Sequence, residues 1–188
     1  MSVDPRGDRL LVWGGTPLRG RVRMSGSKNA SLPAMAASLL TAEPIRLHNV
    51  PGVSDTALMA DILRTLGTSV NEPPGEAVEL RSGAVGWEVT PGLAGRMRAS
   101  IVLLGPLVAR TGRARLPRPG GDSIGARRVE QHVRGLRAMG AEVIETETEI
   151  RAHVAGRLHG ARIVLDLPTV TGTENLVMAA TLAEGRTE

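Results

Sequence analysis

The chain's 188 residues are enough for one core, and 41% apolar with 22% charged side chains is the balance of a soluble globular domain. Cysteine, phenylalanine and tyrosine are absent, and Trp13 and Trp87 are the only large aromatics. This excludes a disulfide frame, a thiol nucleophile and the stacking platforms of most RNA and single-stranded DNA binders. The formal charge of +4 therefore points to anionic small ligands rather than nucleic acid. No membrane partner is expected either, since no apolar run approaches the roughly 18 residues that span a bilayer. The charged opening MSVDPRGDR has no apolar signal core, so a cytoplasmic location is expected.

Residues 9–24 read as two short strands around Gly14-Gly15. Ser25-Gly26-Ser27 then opens an apolar helical stretch over 29–40. A strand follows at 43–50, a turn at PGVSD, and an amphipathic helix over 56–66 that stops at Gly67. Residues 69–71 begin the next strand, and 77–80 with 84–89 read as a hairpin. The order then recurs, with a helix over 98–109, a strand at 112–116, a Gly/Pro loop, a helix over 126–139 stopped by Gly140, and paired strands in AEVIET and EIRAHV. ILRTLGTSV (62–70) and GLRAMGAEV (135–143) align, and a third copy begins at 172–185 without the strand that should follow its helix. Each copy is a whole module, roughly βαβαββ, and the fold class is α/β with modules sharing a core.

Lys28 is the only lysine among 23 basic side chains. It stands behind a glycine turn at the mouth of a helix, where backbone N–H groups and the macrodipole favour an anion and disfavour a lone cation. That combination points to an anion site; Asn29 either adds an amide donor or caps the helix. Arg98 opens another helix, again a position that favours an anion, though an ordinary surface arginine is the commoner reading there, and LPTVTGTEN (167–175) leads from a strand into a third. The segment 110–128 carries six arginines and one acid, Asp122, around Gly120-Gly121. It reads either as a solvated basic loop or as a lid bringing one ionisable group to an anionic substrate, and Asp122 either caps a helix or pairs with Arg127. His48, His132, His153 and His159 have no metal-ligand spacing, and no metal is expected.

SGSKNASLPAMAASLL, MRASIVLLGPLVAR, PGGDSIGARRVEQH and VTGTENLVMAATLAEG resemble, in order and spacing, the UDP-N-acetylglucosamine 1-carboxyvinyltransferase family of enolpyruvyl transferases. The related EPSP synthases are matched only through the general GSK start. The resemblance runs from about Leu10 to the last residue. It implies one incomplete domain of a two-domain fold of βαβαββ modules. Residues 1–24 would be strands packing with a second domain, and 25–188 most of the first: two modules and the start of a third.

The implied reaction transfers the enolpyruvyl group of phosphoenolpyruvate to the 3-hydroxyl of UDP-N-acetylglucosamine, the committing step of peptidoglycan synthesis, with no cofactor. By the same resemblance Lys28 and Asn29 bind phosphoenolpyruvate. Arg98, Arg127, Arg128, Val129, Glu130, Gln131, Leu167, Pro168, Thr169 and Val170 fall on nucleotide-sugar contacts. Asp122 takes the place of the usual proton-donating cysteine, which implies insensitivity to fosfomycin. Arg128 replaces a usual proline and Glu130 a usual aspartate. The family's general base belongs to the second domain, so the expectation is a truncated form inactive alone. The alternative is a non-catalytic nucleotide-sugar-binding half, or a subunit completed by a second-domain chain.

Overall fold

The computed structural model describes residues 2–3, 10–72, 77–120 and 129–188. Two modules of the same build stand side by side. In the first, α1 (Lys28–Ala36) runs into a 3-10 helix (Ala37–Leu40), followed by β3 (Ile45–Leu47), α2 (Ser54–Thr65), β4 (Thr68–Asn71) and β5 (Val78–Ser82). In the second, a 3-10 helix (Arg98–Leu103) runs into α4 (Leu104–Thr111), then β6 (Arg113–Pro117), α5 (Glu130–Ala138), β7 (Glu142–Glu145) and β8 (Glu149–His153). The short α3 (Pro91–Ala94) precedes the second module, and α6 (Val170–Thr181) opens the third.

Each module makes a three-stranded antiparallel sheet with its last strand in the centre, in the orders β3-β5-β4 and β6-β8-β7. A small two-stranded pair, β1 (Ser2–Val3) with β2 (Leu10–Leu11), precedes them.

The repeat is exact where backbone chemistry demands it. Gly67 and Gly140 both have φ of 92° and both donate to the carbonyl three residues back, ending α2 and α5. Gly112, at φ 74°, caps α4 in the same left-handed conformation, and Gly185, at φ 91°, adopts it three residues beyond Leu182, the cap of α6. Each pair is 73 residues apart. A left-handed residue at a helix end is cheap only for glycine.

With almost no aromatics, the core is built from Leu, Ile, Val and Ala, and Met35, Met59, Met97, Met139 and Met178 fill its irregular gaps. One cluster joins both modules and the start of the third. Inside, α6 packs on α4 and on α1, and α4 packs on the 3-10 helix that continues α1, while α2 covers α1, α5 covers α6, and the sheets lie beyond. Arginines close the C-terminal ends of these inner helices. Arg157 donates to Leu182 O at 2.6 Å, and Arg110 to Leu40 O at 3.4 Å, where cations meet the negative end of the macrodipole.

Three sequence expectations change. Residues 77–80 and 84–89 do not form a hairpin, because β5 is the central strand and both its edges are taken by β3 and β4. Instead 87–89 pair in parallel with β6: Arg115 N donates to Trp87 O and Val89 N to Arg115 O, both at 2.9 Å. The third copy gains backbone pairing beyond its helix, although no strand is assigned there. Glu188 N donates to Ala161 O at 3.0 Å and Ile163 N to Glu188 O at 2.7 Å, the same parallel pattern. In 9–24, β2 pairs with β1, while the residues after Gly14-Gly15 form no strand and stay exposed.

Candidate functional site

The SGSK turn is fixed by one close approach. Gly26 N donates to Asn49 Oδ1 at 3.1 Å, and a Cβ on Gly26 would lie 1.7 Å from the Asn49 carbonyl oxygen, so no side chain fits. Asn49 adopts φ 59°, a left-handed conformation that Asn tolerates better than most residues. Ser27 then caps α1, its Oγ accepting from Ala30 N at 3.4 Å, and Lys28 becomes the first helical residue.

The anion that offsets Lys28 is already part of the protein. Its Nζ lies 2.8 Å from Oδ2 of Asp55, in the first turn of α2. With side chains 49% and 33% exposed, the pair adds under about 1 kcal/mol to stability. Its effect is geometric. The contact uses one of the ammonium's three donors, and Lys28 lines a cleft of about 360 Å³.

That cleft gathers the openings of three helices, one from each module. Lys28 and Asn29 come from α1, Arg96, Met97 and Arg98 from the approach to the second module, and Val170, Thr171 and Glu174 from α6. Leu32, Pro33 and Val102 give it an apolar floor. Three cations thus face two carboxylates, Asp55 and Glu174, and burial raises the Glu174 pKa above the ordinary carboxylate value. His132 of α5 stands behind the wall, 3% exposed, with Nε2 3.4 Å from Thr171 Oγ1. Burial, and then the charge of Arg98, push its pKa down to about 4, so the ring is neutral.

Of the residues singled out in the sequence, Lys28, Asn29, Arg98 and Val170 line this one cleft. Thr169 adjoins it as the cap of α6, its Oγ1 accepting from Gly172 N at 3.1 Å, while Leu167 and Pro168 lie exposed just before. Val129 is in the core, 3% exposed. Glu130 and Gln131 form the first turn of α5, and Gln131 Oε1 accepts from Asp166 N at 3.3 Å, tying α5 to the segment entering α6. None of Val129, Glu130, Gln131, Leu167, Pro168 or Thr169 lines the cleft itself. Asp122, Arg127 and Arg128 lie outside the described residues. Sequence reasoning missed Asp55, Arg96, Thr171, Glu174 and His132. Thr171, Glu174 and His132 all fall within the family-like motifs, but His132, like Asp55, gains meaning only from a partner far along the chain.

The family model for EPSP synthase (3-phosphoshikimate 1-carboxyvinyltransferase) matches residues 12–188. Among solved structures, the enolpyruvyl transferase NikO from Streptomyces tendae superposes with a TM-score of 0.77 at 24% identity, over 93% of this chain and 41% of its own. Two structures of EPSP synthase from Acinetobacter baumannii superpose with TM-scores of 0.72 and 0.70 at 19% and 20% identity. Each match covers 89% of this chain, and 39% and 40% of the other. The present chain therefore spans about 40% of the length of these neighbours, and at such identities the likeness is one of fold. With repeated modules, three helix openings on one cationic cleft and a family match over nearly every residue, the chain belongs to the EPSP synthase family of enolpyruvyl transferases, as a single partial domain of mixed α/β fold.

Proposed function

We propose that this chain forms one wall of an enolpyruvyl-transferase site that takes phosphoenolpyruvate as donor and UDP-N-acetylglucosamine as acceptor. The observation that carries the reading is the convergence of Lys28, Asn29, Arg98 and Val170, from three modules, on one cleft. Lys28 and Asn29 hold the phosphate and carboxylate of the donor. Arg98, Arg127 and Arg128 meet the acceptor's diphosphate, with residues 129–131 and 167–170 along the nucleotide. The 3-hydroxyl gives its proton to the general base of the second domain and its oxygen attacks C2 of phosphoenolpyruvate as C3 gains a proton from Asp122, giving a tetrahedral ketal. Loss of phosphate from C2 and of a proton from C3 then restores the double bond in the product. The exposed 12–24 stretch, with Trp13 67%, Leu18 96% and Val22 83% accessible, fits the proposal that residues 1–24 pack with a second domain and 25–188 form the first. A second reading, with 3-phosphoshikimate as acceptor, is favoured by the description of the matching family.

Binding separates the two. UDP-N-acetylglucosamine titrated into the chain is expected to bind where 3-phosphoshikimate does not, and the reverse result establishes the second reading. Lys28→Ala should weaken phosphoenolpyruvate binding by roughly 10- to 100-fold, the scale of a charge-assisted hydrogen bond. An unchanged affinity removes Lys28 from the site.

Asp122 has its own test. Fosfomycin alkylates a thiol far more readily than a carboxylate, and this chain has no cysteine. Intact-mass spectrometry should find no adduct on the wild type and one on Asp122→Cys. An adduct on the wild type, or none on the variant, would place Asp122 away from the reacting carbon.

A further inference from the structure

His132 poses a problem that the family assignment does not explain. Its imidazole is 3% exposed, Nδ1 is buried with no hydrogen-bond partner, and Nε2 lies 3.4 Å from Thr171 Oγ1. Thr171 lines the cleft beside Lys28 and Arg98. A neutral imidazole holds one N–H, so two arrangements exist. With the proton on Nδ1, a buried N–H is orphaned and the Thr171 hydroxyl spends its hydrogen on Nε2. With the proton on Nε2, Thr171 Oγ1 accepts it, the orphan is a lone pair, and the hydroxyl hydrogen turns elsewhere. Buried orphaned N–H groups are the rarer defect in proteins, which favours the second arrangement. The low pKa of the ring agrees, since a doubly protonated ring would bury a charge near Arg98.

We propose that Thr171 is an anion-binding residue of the cleft, and that His132 is its positioning residue, donating from Nε2 to Oγ1 so that the hydroxyl points its hydrogen at a phosphate or carboxylate oxygen. The inference rests on the reading of the cleft as an anion site and adds to it a neutral donor beside the cations. It also gives His132 of α5 a task in binding without touching the ligand. Through His132 on Thr171, and Gln131 on the Asp166 amide, the first turn of α5 holds both the entry and the opening of α6.

The test begins on the wild-type chain at neutral pH. Long-range 1H–15N correlation of the labelled imidazole should show the neutral tautomer protonated on Nε2; protonation on Nδ1 overturns the proposal without any variant. Inorganic phosphate, followed by the Thr171 amide shift, is the probe for affinity. Thr171→Val and His132→Leu should each weaken it about tenfold, and the double variant no further, because both remove one interaction. Thr171→Ser, and His132→Gln, whose amide can stand in for Nε2–H, should stay within about threefold of wild type. A merely structural role for His132 would lower the melting temperature of both His132 variants and leave phosphate affinity alone. Wild-type affinity in Thr171→Val, alongside a loss in Lys28→Ala, overturns this inference and leaves the anion site standing. Wild-type affinity in all of these variants overturns both.

Discussion

Gly105→Ala is expected to lower stability by about 4 kcal/mol and the melting temperature by on the order of 10 °C. Gly105 lies in α4 where it crosses α6, and a Cβ there would sit 2.3 Å from the backbone oxygen of Asn175 and 2.9 Å from its Oδ1. Backbone cannot rotate away, so the two inner helices must separate. Separation also stretches the bond from Gly105 N to Asn175 Oδ1, 2.7 Å long and fully buried, and an unmet buried N–H costs about 1–3 kcal/mol. Gly135→Ala is the control. The nearest atoms to its Cβ would all belong to the Leu176 side chain, the methyls at 2.3 and 2.4 Å and Cγ at 2.9 Å, and a side chain can turn aside where backbone cannot, so a smaller loss is expected. Thermal melts followed by circular dichroism decide it. If Gly105→Ala melts within a few degrees of wild type, α4 and α6 are not packed through this contact.

Acid should loosen the fold through His132. The folded imidazole takes its proton near pH 4, against 6.5 when unfolded, so between these values the unfolded chain holds a proton that the folded chain lacks. Stability therefore rises with pH across this window. The contribution is complete above about 6.5 and is lost as pH falls toward 4, for a total of about 3 kcal/mol. Two carboxylates also titrate on the acid side, with opposite signs. Glu174, its pKa raised by burial, favours the folded state on the acid side. Glu149, its pKa lowered first by the hydrogen bond from Arg115, favours it on the alkaline side. Comparing wild type with His132→Gln cancels both. Urea unfolding at a series of pH values should show the variant gaining on wild type by about 3 kcal/mol between pH 6.5 and 4. Parallel profiles would mean that the ring is solvated and titrates normally.

Much of this architecture was legible because it is local. Helix stops at Gly67 and Gly140 could be read from two aligned strings, and the helix opening at Lys28 from its Ser-Gly-Ser approach. Arg98 was likewise visible as the first residue of a helix, although the structure makes those first two turns a 3-10 helix. What could not be read was long-range. The segment 87–89 looks like the return arm of a hairpin because nothing local marks a parallel partner 26 residues on, at Arg115. Lys28 at a helix N-terminus argued for an external anion, whereas Asp55, 27 residues later, supplies one. His132 was weighed as a metal ligand and set aside; its partner, Thr171, is 39 residues away. The loop with Asp122 was legible only as composition.

The glycines that keep a 73-residue spacing mark a structural repeat, and it carries a consequence for recognition. Identical copies would present a pseudo-threefold ring of helix mouths, and a small anion could settle there in three equivalent rotations. The copies have kept their turns and changed their mouths: lysine and asparagine at the first, arginine at the second, valine and threonine at the third. Divergence at those few positions removes the rotational degeneracy. A ligand with two unlike ends then has one way to lie, on a scaffold whose own symmetry would have allowed three.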